Sequence, residues 1–180
     1  MLNVESACDA VMSKAFTSEE TPDDPVVVPP RAPLPPGVPN YVTPRGLALL
    51  RDERVALEHE RELIAQSTGD DHERQRRLEI SGARLAALAS RIASARVVDP
   101  TTQSHDDVRF GATVTLRDHV GTTKRYMIVG VDEADPAEGR IAFLAPLARA
   151  LTGLEVGDTA TLTTPDGEQR LDIVAIDYAP

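Results

Sequence analysis

Apolar residues are spaced in two different ways along the chain. Leu47, Leu50, Leu57 and Ile64 recur at intervals of three and seven, and after Gln66-Ser67-Thr68-Gly69-Asp70 a second series begins. It places Leu78, Leu85 and Ile92 in one heptad position and Ser81, Leu88 and Ala95 in the next. Seams this narrow suit two helices packed on each other better than burial in a broad core, so the pattern predicts an antiparallel coiled-coil hairpin projecting into solvent. Thr43-Pro44 supplies an N-cap followed by a proline whose missing N–H costs nothing there, which sets the start of the first helix. Arg54 and Arg61 occupy intervening seam positions, where their stems would lie along the partner helix.

Beyond Pro100 the spacing changes to short alternating segments divided by turn residues. Residues 112–117 and 125–131 flank Asp118-His119-Val120-Gly121, and residues 159–163 and 169–177 flank Thr164-Pro165-Asp166-Gly167. Both read as hairpins. Pro146 to Leu151 reads as one or two helical turns stopped by Gly153. The predicted fold is therefore α+β, with residues 41–100 as the helical hairpin and residues 101–180 as a small antiparallel-sheet domain. Eight of the fourteen prolines fall in residues 1–40, and Pro29 to Pro39 leaves few backbone donors for helix or sheet, so residues 1–40 are expected to be a disordered, proline-rich tail. Met12 is a second candidate start, which would remove Cys8 from the chain.

Composition narrows the function. With 180 residues, 41% apolar and 3% aromatic, the chain holds one ordinary core and excludes a large enzyme with its own cofactor fold. The net charge of −10 argues against autonomous binding to duplex DNA, which depends on cations neutralising phosphates. That charge is uneven. Residues 41–100 carry ten basic and ten acidic side chains, whereas residues 101–180 carry seven and thirteen. Contact with nucleic acid is thus expected to be local or indirect. A single cysteine, Cys8, allows no internal disulfide, no apolar run approaches a membrane span of roughly 20 residues, and the first residues do not resemble a signal peptide. A cytoplasmic protein with no membrane partner is expected.

Several blocks then resemble one family, in order and in spacing. Tyr41-Val42-Thr43-Pro44-Arg45-Gly46 looks like the helix-opening Y-[IV]-T-P-x-G of the Gre transcript-cleavage factors of bacterial RNA polymerase, and Val97-Val98-Asp99-Pro100 like their V-[IV]-D-P. Phe110-Gly111-Ala112-Thr113-Val114, the run from Ile128 to Asp135, the run from Ala145 to Leu151, Val156-Gly157-Asp158 and Thr164-Pro165-x-Gly167 are similar to further blocks of that family. The resemblance covers residues 41–178. It implies a coiled-coil hairpin that enters the polymerase secondary channel and a C-terminal domain, FKBP-like in fold, that docks at the channel rim.

The resemblance also assigns residues. Gly69-Asp70-Asp71-His72-Glu73-Arg74 stands where the family has G-D-x-x-E-N, so Asp70 and Glu73, with Asp71 as a weaker helper, are implied to hold a Mg2+ shared with the polymerase during hydrolysis of backtracked RNA. The hydrolytic centre would be the polymerase's. The chain itself is expected to be no enzyme, and to have no cofactor or metal of its own. Hard Mg2+ suits one or two protein carboxylates plus phosphate and water. The same residues equally describe an ordinary acidic helix N-terminus. Arg74, Arg76, Arg77 and also Arg84 resemble the basic patch that faces the RNA 3′ segment in some members, or form a solvated helix face. Leu144, Ala145, Pro146 and Arg149 match the rim-docking segment, although Leu144-Ala145 replaces a polar residue and a serine there; the pair also reads as the end of a strand. Finally, each arm of the hairpin is about a heptad shorter than the family pattern, roughly 10 Å of helix. Two functions stay open: stimulation of transcript cleavage through the tip carboxylates, or occupation of the channel by a non-cleaving regulator that competes with other factors. A hairpin that binds some unrelated helical partner is the third reading.

Overall fold

The computed structural model describes residues 31–165 and 167–178; the expectations for residues 1–30, including Cys8 and Met12, and for Asp166 lie outside them. The chain runs β1 (Asn40–Val42), α1 (Pro44–Gln66), α2 (Asp71–Ala93), β2 (Ala95–Val97), β3 (Thr113–Arg117), β4 (Thr123–Val129), β5 (Arg140–Ala142), α3 (Pro146–Leu151), β6 (Thr159–Thr164) and β7 (Gly167–Asp177). Short 3-10 turns cover Pro100–Thr102 and Pro136–Glu138. The architecture is mixed helix and sheet, with two long helices preceding a five-stranded sheet.

Helices α1 and α2 have 23 residues each, about 34 Å at 1.5 Å per residue. They are joined by four residues and run back along one another: Leu47, Leu50 and Leu57 pack with Leu88 and Ile92, so the beginning of α1 meets the end of α2. Leu50, Ile64, Ser81 and Leu88 are buried and their flanks are not, which is the narrow heptad stripe that the spacing describes. Arg54 and Arg61 do not lie in the seam. Both are exposed, and Arg54 pairs with Glu58 one turn on along α1 at 3.6 Å, because a surface position offers its charge both water and a carboxylate.

The sheet order is β5-β4-β3-β7-β6. The two expected hairpins form, β3 against β4 and β6 against β7, and β3 also pairs antiparallel with β7. The sheet is not wholly antiparallel, however. β5 pairs with β4 in parallel, since the chain leaves β4 at Val129, loops back through residues 130–139, re-enters beside Met127 and runs in the same direction to Ala142 opposite Val129. One face carries the core, in which Val108, Val114, Leu116, Ile128, Leu151 and Ile173 are buried with α3 packed across them. Tyr178 closes its end: the hydroxyl donates to the Asp107 carbonyl at 2.5 Å and accepts from Arg109 N at 2.9 Å.

Two further corrections concern the base of the helices. Residues 40–42, ahead of the expected helix start, and residues 95–97, of which Ala95 was counted in the second heptad seam, form a two-stranded parallel sheet there. Part of the expected tail is also in place. Val38 N bonds the Pro35 carbonyl at 3.1 Å, and Asn40 is buried in β1 with its side-chain amide donating to the Arg91 carbonyl at 2.9 Å.

Candidate functional site: the acidic tip and its mounting

The link between α1 and α2 gathers the chemistry expected at the tip. Ser67 ends α1, its N–H and hydroxyl both directed to the Ile64 carbonyl at 3.2 and 2.7 Å. Asp70 then caps α2, one carboxylate oxygen accepting from His72 N at 2.8 Å. Asp71 and Glu73 follow in the first turn, where the helix dipole favours negative charge. Asp70, Asp71 and Glu73 are all exposed, and they stand at the end of the helix pair remote from the sheet. The spacing thus presents three carboxylates to solvent on one helical turn.

Two of the three are already engaged by the chain. Asp70 spends one oxygen as a cap, leaving the other open, and Asp71 is paired with Arg74. Arg74 also reaches back to the Ser67 carbonyl at 3.4 Å, so it braces the turn, half-buried, while Arg76, Arg77 and Arg84 lie exposed along α2. The donor set still fits Mg2+: exposed carboxylate oxygens on one turn, without a soft ligand. Among the described residues, no group of three or more His, Cys, Asp and Glu is arranged to hold a metal ion.

The second expected site lies elsewhere. Pro146 is the first residue of α3 and is exposed, as is Arg149 on the same helix; Leu144 and Ala145 are half-buried. Ala145 is the N-cap position and offers no side-chain hydrogen bond, so the start of α3 rests on the backbone, with Ala145 N donating to the Ala142 carbonyl at 2.8 Å. Ala145 and Leu147 also pack on the core. This site and the tip are separate surfaces.

What the sequence did not reveal is the mounting that joins them. Thr43 caps α1 as expected, its hydroxyl oxygen accepting from Gly46 N at 2.8 Å, and the same hydroxyl donates to Glu133 Oε2 at 2.5 Å. Arg45 Nη1 meets the other Glu133 oxygen at 2.9 Å, and the Glu133 side chain is only 1% exposed. Its neighbour Asp132, 8% exposed, accepts from Arg31 at 3.0 and 3.2 Å and faces Arg91 Nε at 3.4 Å. Arg31 also forks onto Glu53 of α1 at 2.7 and 3.0 Å, and Arg91 donates to the Ala32 carbonyl. Hydrogen bonding to Glu53, opposed by burial and reinforced by Asp132, raises the pKa of Arg31 above its ordinary value. Tyr41 completes the joint, its ring 5.8 Å from Phe110 and 5.7 Å from Phe143. Three of the chain's six aromatic residues are therefore spent where helices and sheet meet. Only the adjacency of Asp132-Glu133 to a strand end hinted at this; partners 90 and 101 residues away carry no local signal.

Two long paired helices with an acidic tip, mounted on a small curled sheet through buried carboxylates, define a helical-arm-and-sheet factor, and comparison with known proteins gives that class a family. The family model for the transcription elongation factor GreA/GreB C-terminal domain matches residues 103–178. GreB of Neisseria meningitidis serogroup B is 37% identical over 153 residues, spanning 77% of this chain and 94% of that protein. GreA of Desulfovibrio desulfuricans is 36% identical over 151 residues, spanning 76% and 93%. The chain belongs to the GreA/GreB family of transcription elongation factors. Among solved structures, GreA/GreB from Nitrosomonas europaea is 22% identical over 78% of this chain and 99% of that one, with a TM-score of 0.39. The family assignment rests on the sequence matches.

Proposed function

We propose that this protein binds bacterial RNA polymerase through the sheet domain, an FKBP-like fold by family resemblance, and inserts the α1–α2 hairpin into the secondary channel. There it stimulates the polymerase to cleave backtracked RNA. The observation that carries this reading is the tip itself: Asp70, Asp71 and Glu73, exposed on one turn, held about 34 Å from the helix base in a family named for transcription elongation. Asp70 and Glu73 would hold the shared Mg2+ through their free oxygens, with Asp71 assisting. That ion would stabilise charge developing on the scissile phosphate. The chain's own contribution is to orient carboxylates, and the hydrolytic centre stays with the polymerase. Arg76 and Arg77 supply positive charge toward the RNA 3′ segment; Arg74, tied to Asp71 and Ser67, holds the tip turn as well. Pro146 and Arg149, both exposed on α3, would dock at the channel rim, with Leu144 and Ala145 as their half-buried support. Duplex DNA is met only through the polymerase, and the setting is the cytoplasm.

A second reading has its own support. Asp70 and Asp71 already serve as cap and ion-pair partner, so the tip is stable without an ion, as a non-cleaving occupant of the channel would need. The two are separated by adding the protein to stalled elongation complexes and following both retention on polymerase and RNA length. Shortening of the RNA supports cleavage stimulation, and retention without shortening supports the competitor. Absence of retention defeats both.

A further inference from the structure

We propose that Arg31, from the segment that precedes the helices, is a positioning residue that braces the arm and fixes where its tip arrives. The other links across the joint cluster at the helix base, where Thr43 and Arg45 meet Glu133 and Tyr41 meets Phe110 and Phe143. Contacts gathered at one point act as a pivot. Beside these links a cleft of about 760 Å3 opens, bordered by Pro44, Arg45, Pro100 and Met127. Arg31 differs in reach. Its guanidinium forks onto Glu53, nine residues into α1 and thus about 14 Å along the helix, and simultaneously onto Asp132 in the loop after β4. A tie placed that far from a pivot resists tilting, as a contact at the pivot does not.

The chemistry suits a brace. A guanidinium is planar and permanently charged, and its fork can serve two carboxylates at once, which an ammonium cannot do with the same geometry. Arg91 of α2 approaches the second Asp132 oxygen at 3.4 Å and binds the Ala32 carbonyl beside Arg31. Two cations and two carboxylates therefore link the leading segment, both helices and the sheet-domain loop in one balanced network. The consequence is leverage: a tilt of about 10° at the base moves the end of an arm of roughly 34 Å by about 6 Å. Misplacement of about 1 Å can cost on the order of 100-fold in rate.

The brace itself is tested without polymerase. With Cys8 replaced by serine, spin labels are placed on the full chain at Ala65, exposed near the end of α1, and at Val174, exposed on β7. Electron–electron dipolar spectroscopy then reads the distance between arm and sheet. One narrow distribution is expected for the parent, and one several ångströms broader for Arg31→Ala, with the helix content read by circular dichroism unchanged. Glu53→Gln, which removes the far anchor, should broaden it likewise, and the double variant should add nothing further. A distribution unaltered by Arg31→Ala would overturn the brace. Its role in function rests on the polymerase reading above: there Arg31→Ala should lower the maximal rate of RNA shortening at least 10-fold while leaving polymerase affinity within twofold. An unchanged rate beside a broadened distance would refute that role and leave the brace standing.

Discussion

Glu133 sits where three residues crowd one carboxylate. Thr43, Arg45 and Gly46 all approach its carboxylate, and a Cβ on Gly46 would lie 2.7 Å from Oε2. Gly46→Ala should therefore push Glu133 off its partners and lower stability by about 1–3 kcal/mol, measured by chemical denaturation. Glu133→Ala should cost a similar ~1–3 kcal/mol, since the Thr43 hydroxyl loses its acceptor in a dry site, whereas Arg45 can turn to water. Acid sensitivity at this scale falls on Asp99. The Thr101 hydroxyl, and then its backbone N–H, hold the Asp99 carboxyl below its ordinary 3.8. A depressed pKa means stabilisation that is complete above the ordinary value and is lost as pH falls through the lower, folded one. Amide exchange at Thr101 followed by NMR should accordingly stay protected at pH 5 and lose protection only below about pH 4. Thr43 was readable as a cap because its bond to Gly46 is local. Its bond to Glu133 was not, because nothing in the spacing of residues 43 and 133 predicts that they meet.

Among the elements, the helix pair is the one most completely written in its own residues. A heptad stripe depends on neighbours three and seven positions away, so Leu50, Leu88 and the turn at residues 67–70 were all legible. Leu88 is fully buried between the helices, and Leu88→Ala should cost about 2–5 kcal/mol by thermal or chemical unfolding. Ser81 makes the opposite point. Its hydroxyl is buried in the same stripe with no hydrogen-bond partner, so Ser81→Ala should leave stability unchanged or raise it by up to about 1 kcal/mol. Strands β1 and β2 were illegible for the reverse reason, and β5 was read only as a strand end at Leu144-Ala145, beyond the Ala142 where it stops. Each has three residues, too few for alternation to declare itself, and each is fixed by a parallel partner reached through a crossover rather than a turn. The α3 segment was legible as a helix because Pro146 opens it and Gly153, at φ +82°, stops it.

At the scale of the whole molecule, charge and shape divide the work. The neutral helical arm carries an acidic tip outward, while the acidic sheet domain meets the arm through Asp132, Glu133 and the aromatic joint. On the proposed function this division reconciles a net charge of −10 with action on RNA, because the tip, rather than the bulk, would be presented to it. Asp70 is the residue to test, because its cap bond to His72 N can be separated from the carboxylate role in the proposed function. Asparagine caps a helix about as well as aspartate, so Asp70→Asn keeps the bond to His72 N but removes the carboxylate, whereas Asp70→Ala removes both and should cost the helix ~0.5–2 kcal/mol. The most direct test is the rate of RNA shortening in stalled elongation complexes with the parent protein and Asp70→Asn. The account predicts shortening by the parent and a fall of at least about 100-fold in Asp70→Asn at equal polymerase occupancy. Equal rates for parent and Asp70→Asn, or no shortening by the parent while it is bound, would contradict it.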